Sequence, residues 1–216
     1  TYTLNGTSSS VELSIPYVVP PNSGTIESST VISGGKILNG SAGTASGTIV
    51  STGGAEIIGS AGVAADTTVK NGGSLIVQSD GLLSGVTTLE NGAQATIWGN
   101  TGGTIVLEGS TNTGLTISGL SSGGTLTTVI SGFDGTSAGN SDGIEISGLN
   151  AADVTSVTYS DADHVTLHLI GGGEVTLNIV GVRNYGFNLG RSSEGSLIYE
   201  VCFLAGSMSR TPSVGV

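Results

Sequence analysis

Thr48-Ile49-Val50-Ser51-Thr52-Gly53-Gly54-Ala55-Glu56-Ile57-Ile58-Gly59-Ser60-Ala61-Gly62-Val63-Ala64-Ala65-Asp66 is one of four copies of a single unit. Ser29–Gly47 is the copy before it, Thr67–Gly85 the copy after, and a fourth runs from about Thr87 to residue 99. Gly34-Gly35, Gly53-Gly54 and Gly72-Gly73 recur at a spacing of 19, as do Gly43, Gly62 and Gly81. Apolar positions keep step: Val31, Val50 and Val69, then Leu38, Ile57 and Ile76. In the fourth copy Leu89, Gly92 and Ile97 fall into place after one extra residue. A fixed period near 20 residues means one supersecondary unit stacked on copies of itself. That favours a rod that holds, displays or adheres over an enzyme built around a pocket.

Each copy holds short apolar stretches, such as Thr30–Ile32, Ile37–Leu38 and Ala42–Ala45, punctuated by Gly pairs or Asn-Gly. No stretch has a useful helical period, so almost no helix is expected. The glycines, Gly34, Gly35, Gly53, Gly54, Gly72, Gly73 and Gly92, are expected at the corners, where positive φ turns the chain. Coils about 4.8 Å apart would place Val31 over Val50 and Val69. The fold class is therefore all-β: a β-solenoid of ~19–20-residue coils.

Composition agrees with thin stacked strands. Of 216 residues, 38 are glycine and only 4% are aromatic, too few large side chains for a thick interior. Mean hydropathy is +0.28, and the regular Val/Ile/Leu placement argues against disorder. The net charge is −11 with five Lys and Arg, so nucleic acid is not an expected partner, because it needs basic patches. No apolar run reaches a helical membrane span, and no membrane insertion is expected. Thr1–Asn5 lacks the features of a signal peptide, which leaves a cytoplasmic location open beside an extracellular one.

Along the chain, residues 1–22 read as an N-terminal lead-in or cap. Val11–Ile15 alternates there, and Pro16, Pro20 and Pro21 are expected to break pairing. Residues 23–128 read as the solenoid. Thr104–Leu107, Leu115–Ile117 and Thr125–Ile130 continue it with drifted lengths. Residues 129–205 read as a C-terminal β-region. In it His164–Leu169 and Glu174–Ile179 alternate around Gly171-Gly172-Gly173, as a hairpin or as two long rungs. Val165, Leu167, Leu169, Val175, Leu177 and Ile179 are expected inward, and Leu197–Leu204 adds a last strand. Residues 206–216 read as a tail.

Two resemblances follow from these residues. The Thr48–Thr67 pattern, repeated over about 29–99, resembles the AIDA-type repeat of bacterial autotransporter adhesins. It implies a right-handed parallel β-helix, display at the cell surface or secretion, adhesion or self-association, and O-glycosylation on Ser or Thr. No membrane β-barrel follows in these residues, so autotransport itself is not implied. Cys202-Phe203-Leu204-Ala205-Gly206-Ser207-Met208-Ser209-Arg210-Thr211-Pro212 resembles the first motif of Hint domains, the hedgehog/intein self-processing fold. It implies that Cys202 attacks the Val201 carbonyl. Ser209 and Val214 depart from that motif and its downstream Thr-x-x-His element does not follow, so a truncated remnant is expected.

Several residues have the chemistry of a site. Cys202 lies in an apolar strand, where a free thiol packs as a small hydrophobe, acts as the remnant nucleophile, or pairs between molecules. His164 and His168 share one face of a strand about 13 Å apart, too far for one metal, and are expected to face solvent. Asp134, Asn140, Asp142 and Glu145 surround a Gly/Ser-rich loop and are the calcium candidates. The spacing fits neither an EF-hand nor a nonapeptide array, so no cofactor is the main expectation. Asp161, Asp163 and Glu174 read as a solvated turn.

A glycan-active β-helix needs a carboxylate pair about 5–10 Å apart in a groove with aromatics. The solenoid offers Glu27, Glu56, Asp66, Asp80, Glu90, Glu108 and a single Trp98, without a matched pair. The expectation is a non-enzymatic adhesive rod whose main partner is itself, with a cell surface or a glycan as a further partner. Poorly capped ends would make filaments.

Overall fold

The computed structural model describes residues 11–13, 16–19, 25–27, 29–31, 35–39, 43–120, 122–137 and 139–202. It is a parallel β-helix with three faces, closed at its C-terminal end by antiparallel strands. Face one stacks Val11–Leu13, Ser29–Val31, Ile49–Val50, Thr68–Val69, Val86–Leu89, Thr104–Leu107 and Val129–Ser131. Face two stacks Pro16–Val19, Lys36–Asn39, Ala55–Ile58, Ser74–Val77, Gln94–Trp98, Leu115–Ser118 and Gly143–Ile146. Face three stacks Thr25–Glu27, Thr44–Ser46, Val63–Ala65 and Leu82–Ser84. The described residues hold no α-helix, only 3-10 turns at Ala151–Asp153 and Val182–Asn184. None of it is a helix long and apolar enough to cross a membrane.

The register is the one the repeat demands. Val31 pairs with Val50, Val50 with Val69 and Val69 with Leu89. The step is 19 residues from Ile49 to Thr68 and 20 from Thr68 to Thr88, the extra residue of the fourth copy. Side chains alternate across a strand, so one residue of offset decides which row is core. On face two the inward row is Ile37, Glu56, Leu75, Ala95, Leu115 and Ile144. Ile57 and Ile76, which recur so clearly in the sequence, belong to the outward row and are half-buried. Ile58, Val77 and Ile97 complete the inner wall. Each such side chain contributes roughly 1.5–3 kcal/mol by leaving water.

The segment read as a lead-in carries ladder strands: Val11–Leu13 pairs with Ser29–Val31, and Pro16–Val19 with Lys36–Asn39. Pro16 therefore does not break pairing. It opens the outermost strand of face two, where a residue without an N–H is tolerated. At the other end, the parallel ladders of faces one and two continue through Val129–Ser131 and Gly143–Ile146. Gly34 and the segment after Cys202, including the Hint-like residues and the tail, lie outside the described residues.

Past Ser84 the third wall changes. Gly124–Thr125 pairs with Glu174–Asn178, which begins a meander with His164–Leu169 and Val154–Tyr159. Gly171 and Gly172, at φ of 86° and 84°, turn the hairpin. Val165, Leu167, Val175, Leu177 and Ile179 are buried as expected, and Leu169 is half-buried. Face two is closed by Leu197–Cys202, antiparallel to Gly143–Ile146, with Gly186–Arg191 outside it. Tyr199 is buried here, its ring 6.1 Å from Phe133 and 6.4 Å from Phe187. Three of the chain's few aromatics thus plug the wide end of a core that is otherwise aliphatic.

Candidate functional site

The corners come first because they set where every exposed group points. Leaving face one, the left-handed residue is Gly53, Gly72 or Gly92, at φ of 74°, 74° and 84°. Leaving face two it is Ala61 or Asp80, and leaving face three it is Gly47, Asp66 or Gly85. The expectation that glycine supplies every corner is thus corrected. Ala61, Asp66 and Asp80 hold left-handed φ themselves, and Asp66 offsets its strain by accepting the Val86 N–H at Oδ1, 3.0 Å. The second glycine of each pair acts differently. Gly54 and Gly73 are buried at ordinary φ. A Cβ on Gly73 would sit 2.5 Å from the Val50 carbonyl oxygen of the coil beneath. The pair therefore combines one turning glycine with one that permits close stacking.

Two carboxylates lie inside the rod, and the sequence signalled neither. Glu56 is fully buried between Ile37 and Leu75. Thr67 Oγ1 donates to its Oε2 at 2.9 Å, and the Thr48 hydroxyl also hydrogen-bonds it. Its Oε1 has no partner among the described residues. Burial raises its pKa to about 7, against the smaller opposite pull of the two hydroxyls. Thr48, Thr67 and Thr87 form a buried stack at this corner, and the Thr87 hydroxyl also lacks a partner.

Asp142 is fully buried near the closing end. Its Oδ1 accepts the Asn112 N–H at 2.6 Å and its Oδ2 the Asp134 N–H at 2.9 Å. Asn112 is buried too, donating from Nδ2 to the carbonyls of Leu89 at 2.9 Å and Glu90 at 3.3 Å. Burial pushes the Asp142 carboxyl up to about 6, although both backbone hydrogen bonds hold it down. The calcium candidates thus divide. Asp134 and Asn140 are exposed, Glu145 stands half-buried on face two, and Asp142 directs both oxygens at peptide N–H groups. Among the described residues no three His, Cys, Asp or Glu side chains are grouped to hold a metal ion.

The remaining candidates separate in space. His164 faces Asp161 at 2.9 Å, and His168 faces Glu174 at 3.0 Å and Thr158 at 2.7 Å. Both rings are half-buried beside an acid rather than simply solvated. The acidic trio is not one turn. Asp161 accepts the N–H groups of Asp163 and His164, and these hydrogen bonds hold its pKa below the usual carboxylate range. Asp163 accepts the Gly181 N–H at 2.7 Å, and Glu174 lies at the opposite end of the hairpin. Cys202 is half-buried at the end of its strand, paired with Gly186.

The outer surface carries two kinds of polar row. Along the corner after face one, Thr52 donates to the Asn71 carbonyl (2.7 Å), Asn71 to the Asn91 carbonyl (3.0 Å), and Asn91 Nδ2 to Thr111 Oγ1 (3.3 Å). Lys70 and Glu90 pair beside this ladder at 2.6 Å, which draws the Glu90 pKa down. These groups tie coil to coil. On the open face two, by contrast, Gln94, Thr96, Trp98, Thr116 and Ser118 point outward, and none of their side chains makes a hydrogen bond within the described residues. Trp98 is 41% exposed. Its ring lies against Gly119, where a Cβ would run into Cε3 and Cζ3.

Comparison with known proteins gives a partial structural likeness. No family model matches the chain, and no curated protein matches it. Among solved structures, the chain is similar to the crystal structure of a TibC-catalysed hyper-glycosylated TibA fragment. The identity is 28%, the TM-score 0.41, and the alignment covers 58% of this chain and 41% of that one.

Proposed function

We propose that the chain is a structural and adhesive rod, not an enzyme, that associates with copies of itself end to end outside the cell. The observation that carries this is the pair of unlike ends. At one end, Val11–Leu13, Pro16–Val19 and Thr25–Glu27 are the outermost described strands of three parallel ladders. At the other, Gly186–Arg191 is the outermost strand of face two and runs antiparallel to its neighbour. Outer strands present unpaired N–H and C=O groups that template further strands. Unlike ends that fit each other make a heterologous contact, which builds filaments rather than closed dimers. The −11 net charge favours solubility and disfavours nucleic acid as a partner. The flanks of the rod are then free for a cell surface or a glycan, with no cofactor required.

Sedimentation velocity and electron microscopy over a concentration series, with and without calcium, test the assembly. The expected result is rods of one width whose length grows with concentration, unchanged by calcium. Val18→Pro, which removes an edge donor, should shorten them. Single short rods at every concentration would overturn end-to-end assembly.

A further inference from the structure

The outward side of face two around Trp98 differs from every other polar surface of the rod. Corner side chains bond to one another between coils, and the meander's outer groups do the same, as in Thr166 with Thr176 at 2.9 Å and Thr158 with His168. The hydroxyls of Thr96, Thr116 and Ser118 and the amide of Gln94 have no such partners among the described residues. They stand in register: Thr96 beside Thr116, Trp98 beside Ser118, with Gln94 farther along the Trp98 strand. None of the five carries a charge, in a chain of net charge −11. Glu145 follows Thr116 on the next strand and adds one carboxylate acceptor at the border.

We propose that this patch is a binding platform for a neutral, extended, β-1,4-linked oligosaccharide, with Trp98 as the stacking surface. A sugar ring presents C–H groups on its faces and hydroxyls around its rim. It therefore needs an apolar plane for the face and uncharged donors and acceptors for the rim. Trp98 supplies the plane, and Gly119 fixes it, because the ring lies where any side chain at residue 119 would clash. A ring fixed before binding loses little freedom on contact. Thr96, Thr116, Ser118 and Gln94 both donate and accept, as sugar hydroxyls require. The flatness of stacked strands matches the ribbon shape of a β-1,4 chain and not the curved course of an α-linked one. A cationic ligand would use the same aromatic face through its charge, but the neutral rim gives it one carboxylate only.

The inference rests on the adhesive part of the proposed function and not on end-to-end assembly. The full chain is titrated at a concentration where sedimentation shows single rods, so failure of either idea is visible alone. Trp98 is the chain's one tryptophan, so its fluorescence reports this site and no other. Cellohexaose or chitohexaose is expected to shift the emission saturably, with maltohexaose and pentalysine at least about tenfold weaker. By calorimetry, Trp98→Ala should lose at least about tenfold in affinity, as central aromatic anchors do. Trp98→Phe should lose less, and Thr116→Ala together with Gln94→Ala should weaken binding with an unchanged circular dichroism spectrum. No saturable shift with either β-linked sugar, equal binding of maltohexaose, or preference for pentalysine would each overturn the proposal.

Discussion

The middle coils and the closing coils each bury one carboxylate, and the two are opposite in kind. Glu56 sits in a row of aliphatic residues, with hydroxyl donors on one oxygen and none on the other. Asp142 uses both oxygens to satisfy peptide N–H groups of two different loops. The lesson is that burial of an acid does not tell its role; the partner count does. In the regular coils the chain repeats its own register and needs no clasp, so Glu56 is a cost carried by good packing around it. In the closing coils the repeat length drifts, backbone groups fall out of register, and a carboxylate takes the place of a missing ladder.

That contrast can be broken by mutation. The largest effect is expected for Asp142→Ala, which strands the N–H groups of Asn112 and Asp134 and should lower stability by about 3–5 kcal/mol in urea unfolding at pH 7. Glu56→Gln should act in the other direction. The folded pKa of about 7 lies above the ordinary 4.5, so the folded state holds the proton more tightly. Stability is then greatest below pH 4.5, falls as pH rises toward 7, and is level above it. The shift corresponds to about 3 kcal/mol. The Gln variant should therefore gain about 2–3 kcal/mol at pH 8, nothing at pH 4.5, and show a flatter profile between. A destabilised Gln variant at pH 8 would falsify the account of Glu56 as an uncompensated charge.

Smaller effects sharpen the division between the two glycines of each pair. Gly73→Ala should lower stability by about 1–3 kcal/mol, because its Cβ meets backbone that cannot move aside. The same change at Gly139, which has open space around it, should cost only the strain of positive φ, roughly 1 kcal/mol. Smallest of all should be Lys70→Met, at about 0.5 kcal/mol or less, since both partners of its ion pair are substantially exposed. A melt series of the three variants in one buffer would place them in that order.

The rod itself was legible from residues 29 to 99 because parallel stacking copies sequence period directly into register, as Val31, Val50 and Val69 demonstrate. The inward position of Glu56 was not. Ala55-Glu56-Ile57-Ile58 offers apolar residues at both phases of the alternation, and only the neighbouring coils, through Ile37 and Leu75, decide between them. Asp66 and Asp80 gave no local sign of left-handed backbone, because the repeat has glycine or alanine at the matching positions. Val154–Tyr159 and Gly186–Arg191 escaped for another reason. Antiparallel closing strands answer to partners far along the chain, and no repeat announces them. The Trp98 patch was invisible because its meaning lies in what its neighbours do not bond.

The hydrogen bonds that join one coil to the next all run along the length of the rod. A pull on its two ends therefore loads each rung in tension along the bond, and only one coil's bonds at a time resist at the weakest junction. Such an object yields by peeling. Each step pays out 19 or 20 residues of slack, the interval between paired strands. An anchored rod under flow would lengthen in these increments and rewind when the load drops, with the neighbouring coil as template, which makes it an extensible tether rather than a brittle post.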